Sequence, residues 1–275
     1  MVDTEHELDR FHDLELDGWR RLAAGYARHF APLVSQAIDP LLNAARVAAG
    51  SRVLDLCCGP GYVSAEIKRR GAIPTGIDFS PEMIALAKAN APDIEFHEGD
   101  AENLQVASRS FDAVVMNFGL LHFARPELAM SHIARVLKPG GRVACTVWAP
   151  PAESAGHRIM LQAVSEQGKM EVGLPAGPPL FRFTDPQECR TLFAGAGLRD
   201  VTIGKVQHHL DLSGPDELFD AYVAGGVRIA VLLAKQSPDA FARIRQAVRE
   251  ACAPFERDGK FRIPMASVLA SAARP

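Results

Sequence analysis

The sequence predicts an α/β protein built on a doubly wound, mostly parallel sheet of seven strands, with an N-terminal helical cap and helical insertions toward the C-terminus. Three observations predict it. Between residues 51 and 148, short apolar runs alternate five times with helix-periodic stretches across short connections, the pattern of a parallel sheet with helices on both faces. The fourth run contains Ala113-Val114-Val115-Met116, as a strand buried on both faces does. The first run leads straight into Cys57-Cys58-Gly59-Pro60-Gly61, a turn of small residues where backbone can approach a ligand closely.

Residues 18–49 are helix-periodic, with breaks expected at Pro32 and Pro40; Trp19, Leu22, Tyr26 and Phe30 recur three or four apart and share one face. Residues 51–56 form the first strand, and residues 62–70 the helix after it. Residues 72–78 form the second strand, after which Ser80-Pro81 caps a helix to about Asn90. The third strand is 94–98 and the fourth 112–117. A helix over 127–137 is stopped by Pro139-Gly140-Gly141, and the fifth strand is 142–148. The rhythm then breaks. Residues 149–183 are rich in Pro and Gly, with one helical stretch near 159–167. Thr184-Asp185-Pro186 caps a helix that Gly195-Ala196-Gly197 ends. Residues 201–210 read as the sixth strand, 215–256 as helical with a break at Gly225-Gly226, and 260–272 as the seventh strand. The chain divides into a cap (1–45), a core (46–150) and a remainder (151–275) carrying insertions at 151–182 and 211–259.

Bulk properties narrow the function. A net charge of −3 with scattered Lys and Arg disfavours nucleic acid as the main substrate. No apolar stretch reaches the ~18 residues that span a bilayer, and residues 1–17 are acidic, without a signal-peptide core. The 5 cysteines include the adjacent pair Cys57 and Cys58, which suits neither a disulfide framework nor a spaced metal site. No metal is expected, and a cytoplasmic, reducing setting fits.

Asp55 stands where the first apolar run meets its loop, before the glycines, Asp78 ends the second strand and Asp100 comes after the third. Three acids at successive strand ends suit a ligand rich in hydroxyls and amines better than one rich in phosphate. The ordered segments 53–61, 76–84, 98–104, 111–122 and 135–141 resemble the class I S-adenosylmethionine-dependent methyltransferases, in the small-molecule branch that includes the ubiquinone/menaquinone-biosynthesis enzymes. The likeness covers residues 14–150 well, and 183–210 and 260–274 more loosely. It implies a Rossmann-like fold, S-adenosyl-L-methionine as cofactor, and an enzyme that methylates a small-molecule acceptor at oxygen, carbon or nitrogen by in-line displacement.

The resemblance also implies residue roles. Gly59 and Gly61 let backbone approach the cofactor, and Asp55 orients that loop. Asp78 accepts both ribose hydroxyls. Phe79 and Met83 flank the adenine, Asp100 accepts from its amine, and the Ala101 amide meets a ring nitrogen. Asn117 and Phe118 lie where the transferable methyl belongs, and Tyr26 folds over the cofactor. One position departs from the family: the glycine expected two residues after the loop acid is Cys57, which alters the seat of the methionine moiety. His122 is the titratable group nearest the expected reaction centre by chain position, suited to taking a proton; a purely structural role before the helix near Pro126 stays open. Trp148 faces the acceptor side, with Phe181 and Phe183 as a further apolar wall. The insertions build the acceptor pocket and offer a homodimer contact. A second reading is a cofactor-binding regulatory or partner protein without transfer activity. A nicotinamide-dependent oxidoreductase is disfavoured, because no diphosphate cradle replaces Cys57-Cys58-Gly59-Pro60.

Overall fold

The computed structural model describes residues 4–275; residues 1–3 of the expected cap lie outside the described residues. The chain opens with α1 (Thr4–His29), α2 (Ala31–Val34) and α3 (Ile38–Ala44). The first helix starts well before Gly18. It ends at His29, close to the break expected at Pro32, whereas Pro40 sits in the first turn of α3, where its missing N–H costs nothing. Strands and helices then alternate: β1 (Arg52–Leu56), α4 (Tyr62–Arg69), β2 (Ile73–Asp78), α5 (Pro81–Asn90), β3 (Glu95–Glu98), β4 (Phe111–Asn117), α6 (Pro126–Val136) and β5 (Leu137–Trp148). The remainder supplies α7 (Ala155–Gln167), α8 (Pro186–Gly195), β6 (Arg199–Leu212), α9 (Glu217–Gly225), α10 (Val227–Ala234), α11 (Pro238–Cys252), β7 (Glu256–Arg257) and β8 (Lys260–Ala273). The expected caps form: Ser80 Oγ accepts from the Met83 amide, and the Asp185 carboxylate from the Gln187 amide.

The sheet order is β3-β2-β1-β4-β5-β8-β6, with β7 paired to β8. β1 to β5 run parallel; β8 lies antiparallel to both β5 and β6. Among the described residues there are eight strands rather than seven. The additional strand, β7, is the short arm of a hairpin through Asp258 (φ 53°) and Gly259 (φ 77°), both positive as a type I′ turn requires. The fifth strand begins earlier than expected, because Leu137 already pairs with Phe111; the Pro-Gly-Gly turn lies inside a register shift before Arg142 pairs with Ala113.

Period-two alternation assigns the two faces of the sheet. Leu54, Leu56, Val114, Met116, Val143 and Cys145 pack on one side with α6, α7 and α8. Val53, Ala113, Val115 and Ala144 pack on the other with α3 and α4. Both faces are therefore buried, which is why the central strands are apolar throughout. The strand order reverses between β1 and β4, and a ligand crevice is expected outside the carboxyl ends at that point. Among the described residues no helix is long and apolar enough to cross a membrane.

Candidate active site

A cleft enclosing about 1140 Å³, part of it open to solvent, lies over the carboxyl ends of β1, β2, β4 and β5. It brings together Tyr26, Cys57, Gly59, Asp78, Phe79, Met83, Asp100, Ala101, Asn117, Phe118, His122 and Trp148. Of the residues expected in the site, Asp55 and Gly61 lie behind this lining. Gly61 (φ 83°) turns the chain into α4; a Cβ there would sit 3.0 Å from Phe96 and 3.2 Å from Ala87, so glycine serves packing.

The loop after β1 is wound tightly. Cys57 has φ 58°, and Phe118, at the end of the adjacent β4, has φ 61°. Left-handed backbone at a residue with a side chain costs of order 1 kcal/mol or more. Glycine at the Cys57 position would relieve part of that cost. A Cβ on Gly59 would meet little but Tyr26, 4.0 Å away. The loop backbone thus faces open cleft, with the Tyr26 ring above it. The Cys57 and Cys58 thiols are pushed up by burial and by nearby carboxylates, so they stay protonated and are not nucleophiles.

The three acids divide their work. Asp55 is fully buried; Oδ2 accepts from Ser64 Oγ at 2.6 Å, and Oδ1 has no partner among the described residues. Burial pushes its pKa up to about 7. Asp78 is 6% exposed, accepts from the Gly59 amide at 2.9 Å and the Ser80 amide at 3.0 Å, and is pushed by burial up to about 6. Asp100 accepts from the Glu102 amide at 2.8 Å and from His12 Nε2 at 3.1 Å. Burial raises its pKa, and those hydrogen bonds outweigh burial to hold it below the ordinary range.

Asn117 lines the cleft, but its side chain is committed elsewhere. It donates to the Val34 carbonyl at 3.1 Å and accepts from Thr146 Oγ1 at 2.7 Å, while that hydroxyl accepts from the Phe118 amide at 3.0 Å. Those two bonds fix the side chain and leave its backbone as the group best placed for a ligand. His122 Nδ1 donates to Glu15 Oε2 at 2.8 Å, and Glu15 Oε1 accepts from Arg228 Nε at 2.6 Å. Glu15 is fully buried; burial raises its pKa, and its hydrogen-bonded partners His122 and Arg228 outweigh burial to hold it below the usual range.

The far half of the cleft is aromatic. Phe118 lies 4.1 Å from Trp148 between ring centroids, Trp148 lies 5.0 Å from His157, and His157 lies 5.7 Å from both Phe181 and Tyr222. Phe183 is instead buried in the core beneath α8. His12, Glu15, Arg228, His157 and Tyr222 were not singled out by sequence. Extending the Trp19–Phe30 stripe backward would have reached Glu15 and His12, four and seven residues earlier on the same face.

S-adenosylmethionine carries a cationic amine, a ribose diol, an adenine and a sulfonium. The residues present fit that group: an unpartnered carboxylate oxygen on Asp55, a carboxylate at Asp78, a Gly59 face open to the cleft, and Phe79 with Met83 beside them. The arginine in the lining, Arg228, is committed to Glu15, so no guanidinium competes for the site as a phosphate anchor.

Known proteins agree with this geometry. A family model described as a methyltransferase domain matches residues 53–141. A demethylmenaquinone methyltransferase of Paenarthrobacter aurescens is 37% identical over 130 residues, 47% of this chain and 49% of that protein. The Deinococcus radiodurans protein of the same name is 32% identical over 208 residues, 70% of this chain and 79% of its own length. This chain spans about half the length of the first curated relatives it matches. A Haemonchus contortus phosphoethanolamine N-methyltransferase, solved with S-adenosyl-L-methionine, shares the fold at a TM-score of 0.53 and 18% identity, covering 87% of this chain and 52% of that one.

Proposed function

The chain belongs to the class I S-adenosylmethionine-dependent methyltransferases, in the ubiquinone/menaquinone-biosynthesis branch, and we propose that it methylates a small aromatic acceptor held in the far half of the cleft. One observation carries the reading: Gly59, Asp78, Phe79, Met83 and Asp100, drawn from three successive strand ends, converge on one cleft whose other end is walled by Phe118 and Trp148. The relatives' names point to a quinone-type ring, and the aromatic walls suit one.

S-adenosylmethionine would supply a methyl group already activated on sulfur. Asp78 keeps its Gly59 and Ser80 hydrogen bonds and offers its remaining lone pairs to the ribose hydroxyls. Asp55, buried behind the lining, orients the loop and sets a carboxylate behind the amine end. Phe79 and Met83 flank the adenine, and Asp100 with the Ala101 amide meets its edge. Tyr26, Trp19 and Phe30 close the cleft from α1 and the turn after it, and exclude water. Aligning the acceptor with the methyl is the main contribution left to the protein, an entropic gain that reaches roughly 7 kcal/mol or more in well-oriented systems. His122, its ring fixed by Glu15, takes the proton of the acceptor and shares the resulting charge with that carboxylate. The 5 cysteines are free thiols, and we place the protein in the cytoplasm.

The test is calorimetric titration with S-adenosylhomocysteine. Asp78→Ala, and separately Asp78→Asn, should weaken binding by at least about tenfold, as loss of a charged hydrogen-bond acceptor does. An unchanged dissociation constant in both variants would refute the assignment. A binding-competent protein that turns over no acceptor from a panel of phenols, hydroquinones and amines would favour the regulatory reading.

A further inference from the structure

We propose that His157 and Tyr222 form a polar clamp that grips a hydroxyl of the acceptor ring and so selects hydroxylated aromatic substrates. The proposal rests on the methyltransferase reading above. Both residues line the cleft, His157 from α7 and Tyr222 from α9, and their rings lie 5.7 Å apart. His157 is 3% exposed and Tyr222 2% exposed. His157 Nδ1 and the Tyr222 hydroxyl have no hydrogen-bond partner among the described residues. Buried polar atoms are nearly always partnered, and each exception asks for an explanation. Leaving two of them unpaired, one helix apart and against the same cavity, is costly unless a ligand satisfies them.

The surroundings define what that ligand is. Trp148 and Phe181 pack against His157, Phe30 packs against Tyr222, and Phe118 packs on Trp148, so the pair stands among aromatic rings. Burial pushes the His157 pKa down to about 3, so the imidazole is neutral at physiological pH. A neutral imidazole and a phenol O–H together offer one donor and one group able to accept. A hydroxyl both donates and accepts, and matches them; a carboxylate would find no cation there and would be rejected by desolvation. The desolvated His157 is also too weak a base to be the proton sink, which leaves that task to His122. His157 and Tyr222 are positioning residues.

The experiment compares 2-naphthol with 2-methylnaphthalene, a hydroxyl-for-methyl pair, by equilibrium dialysis against protein saturated with S-adenosylhomocysteine. Native protein should prefer 2-naphthol by about tenfold, the range expected when two modest hydrogen bonds are gained. Tyr222→Phe and His157→Phe should each reduce that preference at least threefold, and together abolish it, while 2-methylnaphthalene binding stays within about twofold. Because the Tyr222 hydroxyl has no partner to lose, Tyr222→Phe should not lower the thermal midpoint. Equal loss of both probes, an unchanged preference, or a lowered midpoint for Tyr222→Phe would each overturn the clamp. Saturation with S-adenosylhomocysteine is scored first in every variant. Failure there counts against the methyltransferase reading, and failure of discrimination alone counts against the clamp.

Discussion

Asp55 and Asp78 stand on neighbouring strands and hold protons more tightly than free carboxyls, because burial penalises their charged forms. Linkage gives the sign of the consequence. A buried acid with a raised pKa stabilises the fold below about pH 4, where both folded and unfolded forms are protonated. That contribution is lost as pH rises through about 6 for Asp78 and about 7 for Asp55. A ligand that gives an amine and hydroxyls to these carboxylates selects their ionised forms. Affinity for S-adenosylhomocysteine should therefore rise from pH 5 to pH 8 and level off above about 7, with protons released on binding. Calorimetry in two buffers of different ionisation enthalpy measures that release, and a flat profile with none would contradict it. Asp55→Asn should remove the upper part of the rise. His122 is tested at the same scale. Replacing it with Gln should cut turnover by about a hundredfold or more, as loss of a general base does, while S-adenosylhomocysteine affinity changes less than about threefold. Unchanged turnover with lowered stability would leave His122 as a pin for the cap alone.

At the level of elements, what could be read from the chain was whatever local physics decides. Ala113 to Met116 announces a central strand because both its faces are buried, and Ser80-Pro81 and Asp185-Pro186 announce helix starts because cap hydrogen bonds are local. The Asp258-Gly259 pair was an equally local signal that went unread: its two positive φ angles and the Arg257–Lys260 pairing make the hairpin that adds the eighth strand. The start of α1 was obscured by its acidic, mostly polar face, although Phe11, Glu15 and Gly18 are buried along the opposite face. That Asp78, Phe79, Met83, Asp100 and Phe118 meet in one cleft was legible because they sit at strand ends in fixed order. The polar contacts across the cleft were not. His12 meets Asp100 across 88 positions, Glu15 meets His122 across 107, and Arg228 meets Glu15 across 213. No local pattern encodes such a pair; it exists only once the cap and insertions have folded over the sheet.

For the molecule as a whole, Glu15 is where those separate parts are tied together. Its carboxylate joins α1 to His122, in the turn after β4, and to Arg228 at the start of α10; Arg228 also donates to the carbonyls of Pro178 and Leu121 and packs over Phe11. Cap, core and both insertions thus share one buried anion. Removing one member of such a cluster strands the others, and costs about 3 kcal/mol or more. Glu15→Ala should lower unfolding stability by that amount in urea, read as a reduced midpoint at constant slope. Glu15→Leu combined with Arg228→Met should recover part of the loss, since a buried ion pair is often replaceable by apolar side chains. The cap also carries Tyr26 above Gly59, so Glu15→Ala should speed dissociation of S-adenosylhomocysteine in stopped-flow measurements more than it slows association. A Glu15→Ala protein within about 1 kcal/mol of native stability and with native dissociation kinetics would mean that the apolar face of α1, and not this carboxylate, holds the cap closed.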